Sequence, residues 1–273
     1  MADFFDAPTV AELSEKISLG QRAHSLAPAI VLRRGRAGRP VFFIHPVSGL
    51  SWCYSKLLRH LDTDRPLYGL QSGGWADGGR TPQPLDAMAA EYAALIRRIQ
   101  PTGPYALAGW SMGGVLAHEI AVQLQAAGQP VELLALLDSF PPAANQTPDD
   151  TDTDTDAEFR AVMSTQLLPT EQTSQADNTA ELDQRVAFAV FRHNRSAAAA
   201  FRPGRFAGDI LLVRAAAAPH ERDEAAPHEA EDAWRPHVTG HIRQKYLGCD
   251  HYRMLDPGPA ATIGEILSAE LRD

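Results

Sequence analysis

Residues 109–113, Gly-Trp-Ser-Met-Gly, set a serine between glycines where an apolar run gives way to a helical pattern. A serine hydroxyl becomes a useful nucleophile only when a base takes its proton and an acid orients that base. A sharp strand-to-helix turn lifts such a serine clear of a sheet, and Gly109, Gly113 and Gly114 relieve the crowding that the turn creates. The helix starting after Ser111 would aim its amino end at the reacting oxygen, where negative charge is favoured. The plainer alternative is a glycine-rich turn with an incidental serine, and the flanking strand and helix patterns argue against it.

Several residues compete to assist this serine. Asp138 closes the next apolar run, VELLALLD, at a strand end on the same rim as Ser111; the plainer alternative is a cap or turn residue ahead of Pro141. Glu221 and Asp223 follow a later run and stay open as rival acids. Ten histidines compete for the role of base. An early segment, His45-Pro46-Val47-Ser48-Gly49, follows the apolar run VFFI. A loop there can offer the backbone amide of Val47 to a developing oxyanion, with the amide of Met112 as second donor; otherwise it is a simple proline-bounded turn. No metal-ligand spacing and no dinucleotide fingerprint appear, and the glycine pairs at 73–74 and 78–79 read as loops.

The elements that must position these residues follow from hydrophobic periodicity. Strands are expected at 41–45, 65–71, 104–109, 131–138, 208–215 and 242–247. Helices are expected at 51–61, 84–100, 112–128, 157–168, 179–201 and 259–271. The helix at 84–100 carries Leu85, Met88, Tyr92, Leu95 and Ile99 at spacings of three and four. Strands alternating with helices imply a mostly parallel central sheet flanked by helices, an α/β fold. The acidic run TPDDTDTDTDA within 141–157 and the alanine, proline and acid tract at 215–232 read as loops. The stretch of about 141–205 is too long for a plain connection and reads as a helical lid. Residues 1–20 form a helix of their own, with Ala11, Leu13 and Ile17 on one face, and 21–40, holding Gly35 and Gly38, read as a linker.

A serine elbow in such a sheet is the arrangement of α/β-hydrolases, where the chain order is serine, acid, histidine. That order discounts His45, and His118 accompanies the serine too closely. His193 falls in the lid, while His220, His228, His237 and His241 belong to the late loop or its edge. His251, in GCDHYRML between the last strand and the terminal helix, is the expected base, with His241 as runner-up.

Three stretches carry a family resemblance: PVFFIHPVSG, PYALAGWSMGGVLAHEIA and LLALLDSFPP. Together they resemble the type I thioesterase domains that end nonribosomal peptide synthetases and related hybrid assembly lines. The resemblance is strong over roughly 30–140 and weak over 205–270. It implies a thioesterase domain at 41–273, and favours Asp138 over Asp223 and His251 as the base. It also implies oxyanion donors at Val47 and Met112. The segment FFDAPTVAELSEKI resembles the last helix of a peptidyl carrier domain, without the serine motif that attaches a phosphopantetheine arm. The implied chain is an excised piece of a larger synthetase. It binds no cofactor itself and receives its substrate on the phosphopantetheine arm of a carrier domain. The implied activity is release of a peptidyl chain from that thioester through a Ser111 acyl-enzyme, by hydrolysis or macrocyclisation. The alternatives are a type II editing thioesterase, a general serine esterase, and an inactive fold used for docking. Trp110, where an editing enzyme would carry histidine, speaks against the first.

Composition agrees with this class. A chain of 273 residues with 44% hydrophobic residues can bury a full core. A formal net charge of −9 without a basic stripe argues against a nucleic-acid partner. Two cysteines, Cys53 and Cys249, cannot make a disulfide framework. No basic-apolar leader and no run of about 18 apolar residues is present, so a cytoplasmic protein without membrane contact is expected; the resemblance to an excised terminal domain implies a monomer.

Overall fold

The computed structural model describes residues 26–79, 83–142, 152–166, 177–216 and 229–272. The helix expected at 1–20 lies outside these residues, as do Glu221, Asp223, His220 and His228.

Seven strands form one sheet: β1 (Ala29–Arg33), β2 (Val41–Ile44), β3 (Leu67–Leu70), β4 (Tyr105–Trp110), β5 (Val131–Leu137), β6 (Ile210–Ala215) and β7 (Ile242–Leu247). Their spatial order is β1-β3-β2-β4-β5-β6-β7. β1 runs antiparallel to β3, and every other neighbouring pair is parallel. The described helices are α1 (Leu85–Ile99), α2 (Met112–Ala126), α3 (Asp152–Gln166), α4 (Asp177–Ala200), α5 (Glu229–Trp234) and α6 (Pro257–Glu270). None of them is long and apolar enough to cross a membrane.

The sheet is covered on both faces, so its central strands are apolar throughout rather than alternating. Phe42 and Ile44 of β2 join Leu107 of β4 and Leu136 of β5 beneath α1 and α2. Val41 and Phe43 turn the other way, with Ala106, Ala108 and Leu137, toward Tyr54, Leu57 and the α6 residues Ile263 and Leu267. α2 is buried on nearly all sides, which explains why its sequence shows no polar face. α3 and α4, in the stretch read as a lid, contribute to this core through Phe159, Val162, Ala187 and Phe191. Phe159 of α3 packs edge-on against Phe188 and Phe191 of α4, at ring distances of 5.1 and 5.5 Å.

Three expectations need correction. The stretch read as a linker contains β1, whose Ile30 and Leu32 are buried against the rest of the sheet; five residues of single-face alternation beside glycine-rich chain give a weak signal. The tract read as loop at 215–232 ends in α5, where Ala230 and Trp234, four residues apart, bury one face. The acidic run continues into α3, which begins at Asp152. In addition, the helix expected at 51–61 is a 3₁₀ helix over Trp52–His60.

α6 lies against that 3₁₀ helix at Gly264, where a Cβ would fall 2.6 Å from the His60 carbonyl oxygen. Backbone cannot move aside as a side-chain tip can. Gly264→Ala is therefore expected to lower unfolding free energy by about 1–3 kcal/mol. Gly248→Ala, where a Cβ meets nothing within 4 Å, should stay within about 0.5 kcal/mol of the parent in the same urea titration. Equal stability of the two variants would refute this packing.

Candidate active site

β4 ends at Trp110, and Ser111 then adopts φ 58° and ψ −128° before α2 begins at Met112. A non-glycine residue held there costs about 1–3 kcal/mol and persists only where its surroundings fix it. They do so by backbone bonds and by close approach. The Ser111 N–H donates to the Leu137 carbonyl at 2.9 Å, and the Gly114 N–H donates back to the Ser111 carbonyl at 3.0 Å. A Cβ on Gly109 would lie 2.0 Å from the Gly113 carbonyl oxygen, and one on Gly113 would lie 2.4 Å from that of Ile44. Glycine at both positions lets the start of α2 press onto the ends of β2 and β4.

Asp138 stands at the carboxyl end of the adjacent strand, β5, also with positive φ (42°). Its N–H donates to the Val213 carbonyl at 2.7 Å. The His251 Nδ1 is 2.8 Å from one carboxylate oxygen. The other oxygen accepts from Arg214 Nε and from the Ala215 N–H, each at 3.1 Å. Burial works to raise the Asp138 carboxyl, but the hydrogen bond and charge of His251, the Ala215 amide and the Arg214 guanidinium outweigh it. The group is held below the ordinary aspartate range. An ionised carboxylate accepts only, so the Nδ1 of His251 is the donor in this bond.

His251 begins a short 3₁₀ turn after β7, capped by Asp250, whose carboxylate accepts from the Tyr252 and Arg253 amides at 3.0 and 3.1 Å. Its ring packs over the Trp110 indole, 5.4 Å between centroids. The residue before the serine thus seats the imidazole. The runner-up, His241, precedes β7 at the opposite rim of the parallel sheet, with its side chain 90% exposed beside Asp209. His45 and His118 are buried and structural. Burial lowers each to about 4, opposed by a backbone hydrogen bond, so both stay neutral. His45 Nδ1 donates to the Pro46 carbonyl at 2.7 Å, and Nε2 lies 2.7 Å from the Tyr92 hydroxyl, which donates to the Gln71 carbonyl at 2.9 Å.

The loop carrying Val47 is fixed from several sides. Gly49 takes φ 78° and donates to the Pro46 carbonyl at 2.9 Å. Trp75 Nε1 donates to the Ser48 carbonyl at 3.0 Å. From the lid, the buried Asn194 of α4 donates to the Val47 carbonyl at 3.0 Å. Tyr54 ties this loop to the elbow: its hydroxyl donates to the Ile44 carbonyl at 2.6 Å and accepts the Trp110 N–H at 2.8 Å. Burial raises this phenol well above its ordinary range, so it stays protonated and able to donate.

Ser111, Asp138, His251, Val47 and Met112 all line one cavity of about 1430 Å³, bounded on its far side by α3 and α4. Residue type alone did not single out Tyr54, Asn194 or Arg214. An arginine directly after the buried run of β6 was the one available signal; the other two act across long sequence separations. No group of three or more His, Cys, Asp or Glu among the described residues is placed to hold a metal ion.

A parallel sheet with one antiparallel edge, a serine elbow after β4, an acid after β5 and a histidine after the last strand define an α/β-hydrolase. The chain belongs to the thioesterase domain family, whose model matches residues 39–269. It is 32% identical to a dimodular nonribosomal peptide synthase of Bacillus subtilis, over 100% of this chain and 12% of that protein. It is 33% identical to malpinin synthetase of Mortierella alpina, over 98% of this chain and 3% of that one. The chain therefore spans a small fraction of these relatives. Among solved structures, a four-domain nonribosomal peptide synthetase bound to AMP and glycine superposes with a TM-score of 0.77 at 26% identity, covering 97% of this chain and 22% of that one.

The depressed Asp138 carboxyl has a consequence for stability. A lowered folded-state pKa contributes stability that is present above the unfolded-state value, about 3.9, and lost as pH falls through the folded-state value. Asp138→Asn removes that contribution. The stability gap between parent and variant should be widest above about pH 5 and should narrow on further acidification. A gap that widens toward pH 3 in chemical denaturation would contradict the assignment.

Proposed function

We propose that this domain releases a peptidyl chain from a carrier-bound phosphopantetheine thioester through an acyl-enzyme on Ser111. The observation that carries the proposal is the 2.8 Å contact between His251 and Asp138, both lining the same cavity as Ser111. His251 Nε2 takes the hydroxyl proton as Ser111 Oγ attacks the thioester carbonyl. The backbone amides of Val47 and Met112 receive the oxyanion that forms. Collapse of that intermediate breaks the C–S bond, and the proton on His251 passes to the departing thiol. Asp138 holds the imidazole in its useful tautomer and balances its charge while it is protonated.

The ester on Ser111 is then cleaved by the reverse sequence. His251 deprotonates either water or an amine or hydroxyl of the bound chain, giving a linear or a cyclic product. A cavity of about 1430 Å³ under α3 and α4 exceeds the usual small-ligand range of roughly 300–1,000 Å³, which suits a peptidyl chain better than an acetyl group. The partner in this reading is a peptidyl carrier domain, consistent with the synthetases that the chain resembles.

The test is a comparison of peptidyl, acetyl and oxygen-ester substrates in steady-state kinetics. The expected order places the peptidyl thioester first by kcat/KM, with Ser111→Ala lowering its turnover by on the order of 10⁴ or more. Preference for the acetyl thioester would replace this reading with an editing role, and preference for oxygen esters with a general esterase.

A further inference from the structure

The cavity wall is unusually cationic for a chain whose acids outnumber its lysines and arginines by 34 to 25. Arg185, Arg192, Arg195 and Arg202 all line it, and no lysine does. Among the described lining residues Asp138 and Glu158 are the only carboxylates, and both are engaged. Asp138 holds Arg214 and His251. Glu158 pairs with Arg195 at 3.0 Å, and Arg195 also donates to the Thr155 hydroxyl at 2.8 Å. Arg195 is thereby neutralised and serves to join α3 to α4.

Arg185 and Arg192 differ. They sit seven residues apart, two turns along the face of α4 that borders the cavity, with Phe188 between them. The Arg192 guanidinium lies 5.9 Å from the Phe188 ring centroid, which holds the cation against the wall. Among the described residues no carboxylate pairs with either arginine. A lid helix could carry alanine or glutamine here without harm to its packing, because both side chains are exposed rather than part of the core. The cavity that Ser111 lines therefore presents two guanidinium forks without a carboxylate partner among the described residues, suited to bidentate binding of a carboxylate.

We propose that Arg185 and Arg192 select peptidyl chains bearing a carboxylate side chain remote from the thioester carbonyl. The inference rests on the peptidyl-release reading above. The phosphate of a phosphopantetheine arm is the other anion that such arginines could meet, so the test separates the two.

Peptidyl N-acetylcysteamine thioesters, which lack phosphate, are made as glutamate and glutamine pairs with the variable residue placed two, three or four positions from the thioester. The expected result is a preference for glutamate of about fivefold or more in kcat/KM at one position, decreasing as salt is raised. In R185Q/R192Q, with unchanged thermal unfolding, that preference should fall close to one. A second arm compares neutral peptides on pantetheine and on phosphopantetheine. Dependence on the phosphate without any glutamate preference assigns the arginines to the arm and overturns the proposal. A glutamate preference that persists in R185Q/R192Q also overturns it. Equal turnover of both thioesters sinks the inference alone, whereas turnover of neither sinks the peptidyl reading with it.

Discussion

Everything at this site depends on a backbone turn that a serine would not adopt unaided. At φ 58° the Ser111 side chain is lifted off the end of β4, and the strain is held by the fit of α2 against the strand ends. Gly109 and Gly113 make that fit possible, since each leaves room for a carbonyl oxygen less than 2.5 Å from where a Cβ would lie. Parallel strands do the rest. Because β2, β4, β5, β6 and β7 share one direction, their carboxyl ends, and the loops that follow them, gather on one rim. Val47, Ser111, Asp138 and His251 are far apart in the chain and meet because of this common direction.

Charge is then arranged around the turn. A buried carboxylate is costly unless it is paired and hydrogen-bonded. Asp138 meets both conditions through His251, Arg214 and the Ala215 amide. Arg214 also lies 4.2 Å from the Phe140 ring centroid, a second favourable contact for its buried charge. α4 does more than border the cavity. Asn194 reaches from α4 to the Val47 carbonyl, and a Cβ on Gly49 would meet Val190 of the same helix at 2.7 Å. The helix that borders the cavity therefore also seats the loop whose amide faces the reacting oxygen in the proposed mechanism.

Much of this was legible in the sequence, for identifiable reasons. The strand and helix alternation from Val41 to Asp138 is strong because the sheet is buried on both faces and α1 has a clean apolar stripe. Gly109-Trp110-Ser111-Met112-Gly113 stood out because the elbow needs small residues at fixed offsets. Position at strand ends marks Asp138 and His251, the family resemblance separates Asp138 from Asp223, and the structure brings the two side chains into hydrogen-bond contact. What escaped notice lacks local periodicity. β1 is a five-residue edge strand, and α5 has only two inward residues in an alanine and acid tract. Tyr54, 56 residues from Trp110, and Asn194, 147 residues from Val47, gain their roles only through long-range contacts. No propensity scale encodes such contacts.

In the proposed reaction the acyl chain passes through an ester on Ser111. Mixing the protein with a slowly released peptidyl thioester, quenching in acid within the first turnover and mapping the digested chain by mass would detect that ester. An acyl mass on the fragment containing Ser111 is expected to rise before product and then decay. Product formed with no adduct at any time would contradict it. So would an adduct on Cys249, whose thiol burial and the nearby acids Asp250, Asp138 and Asp256 raise to about 11.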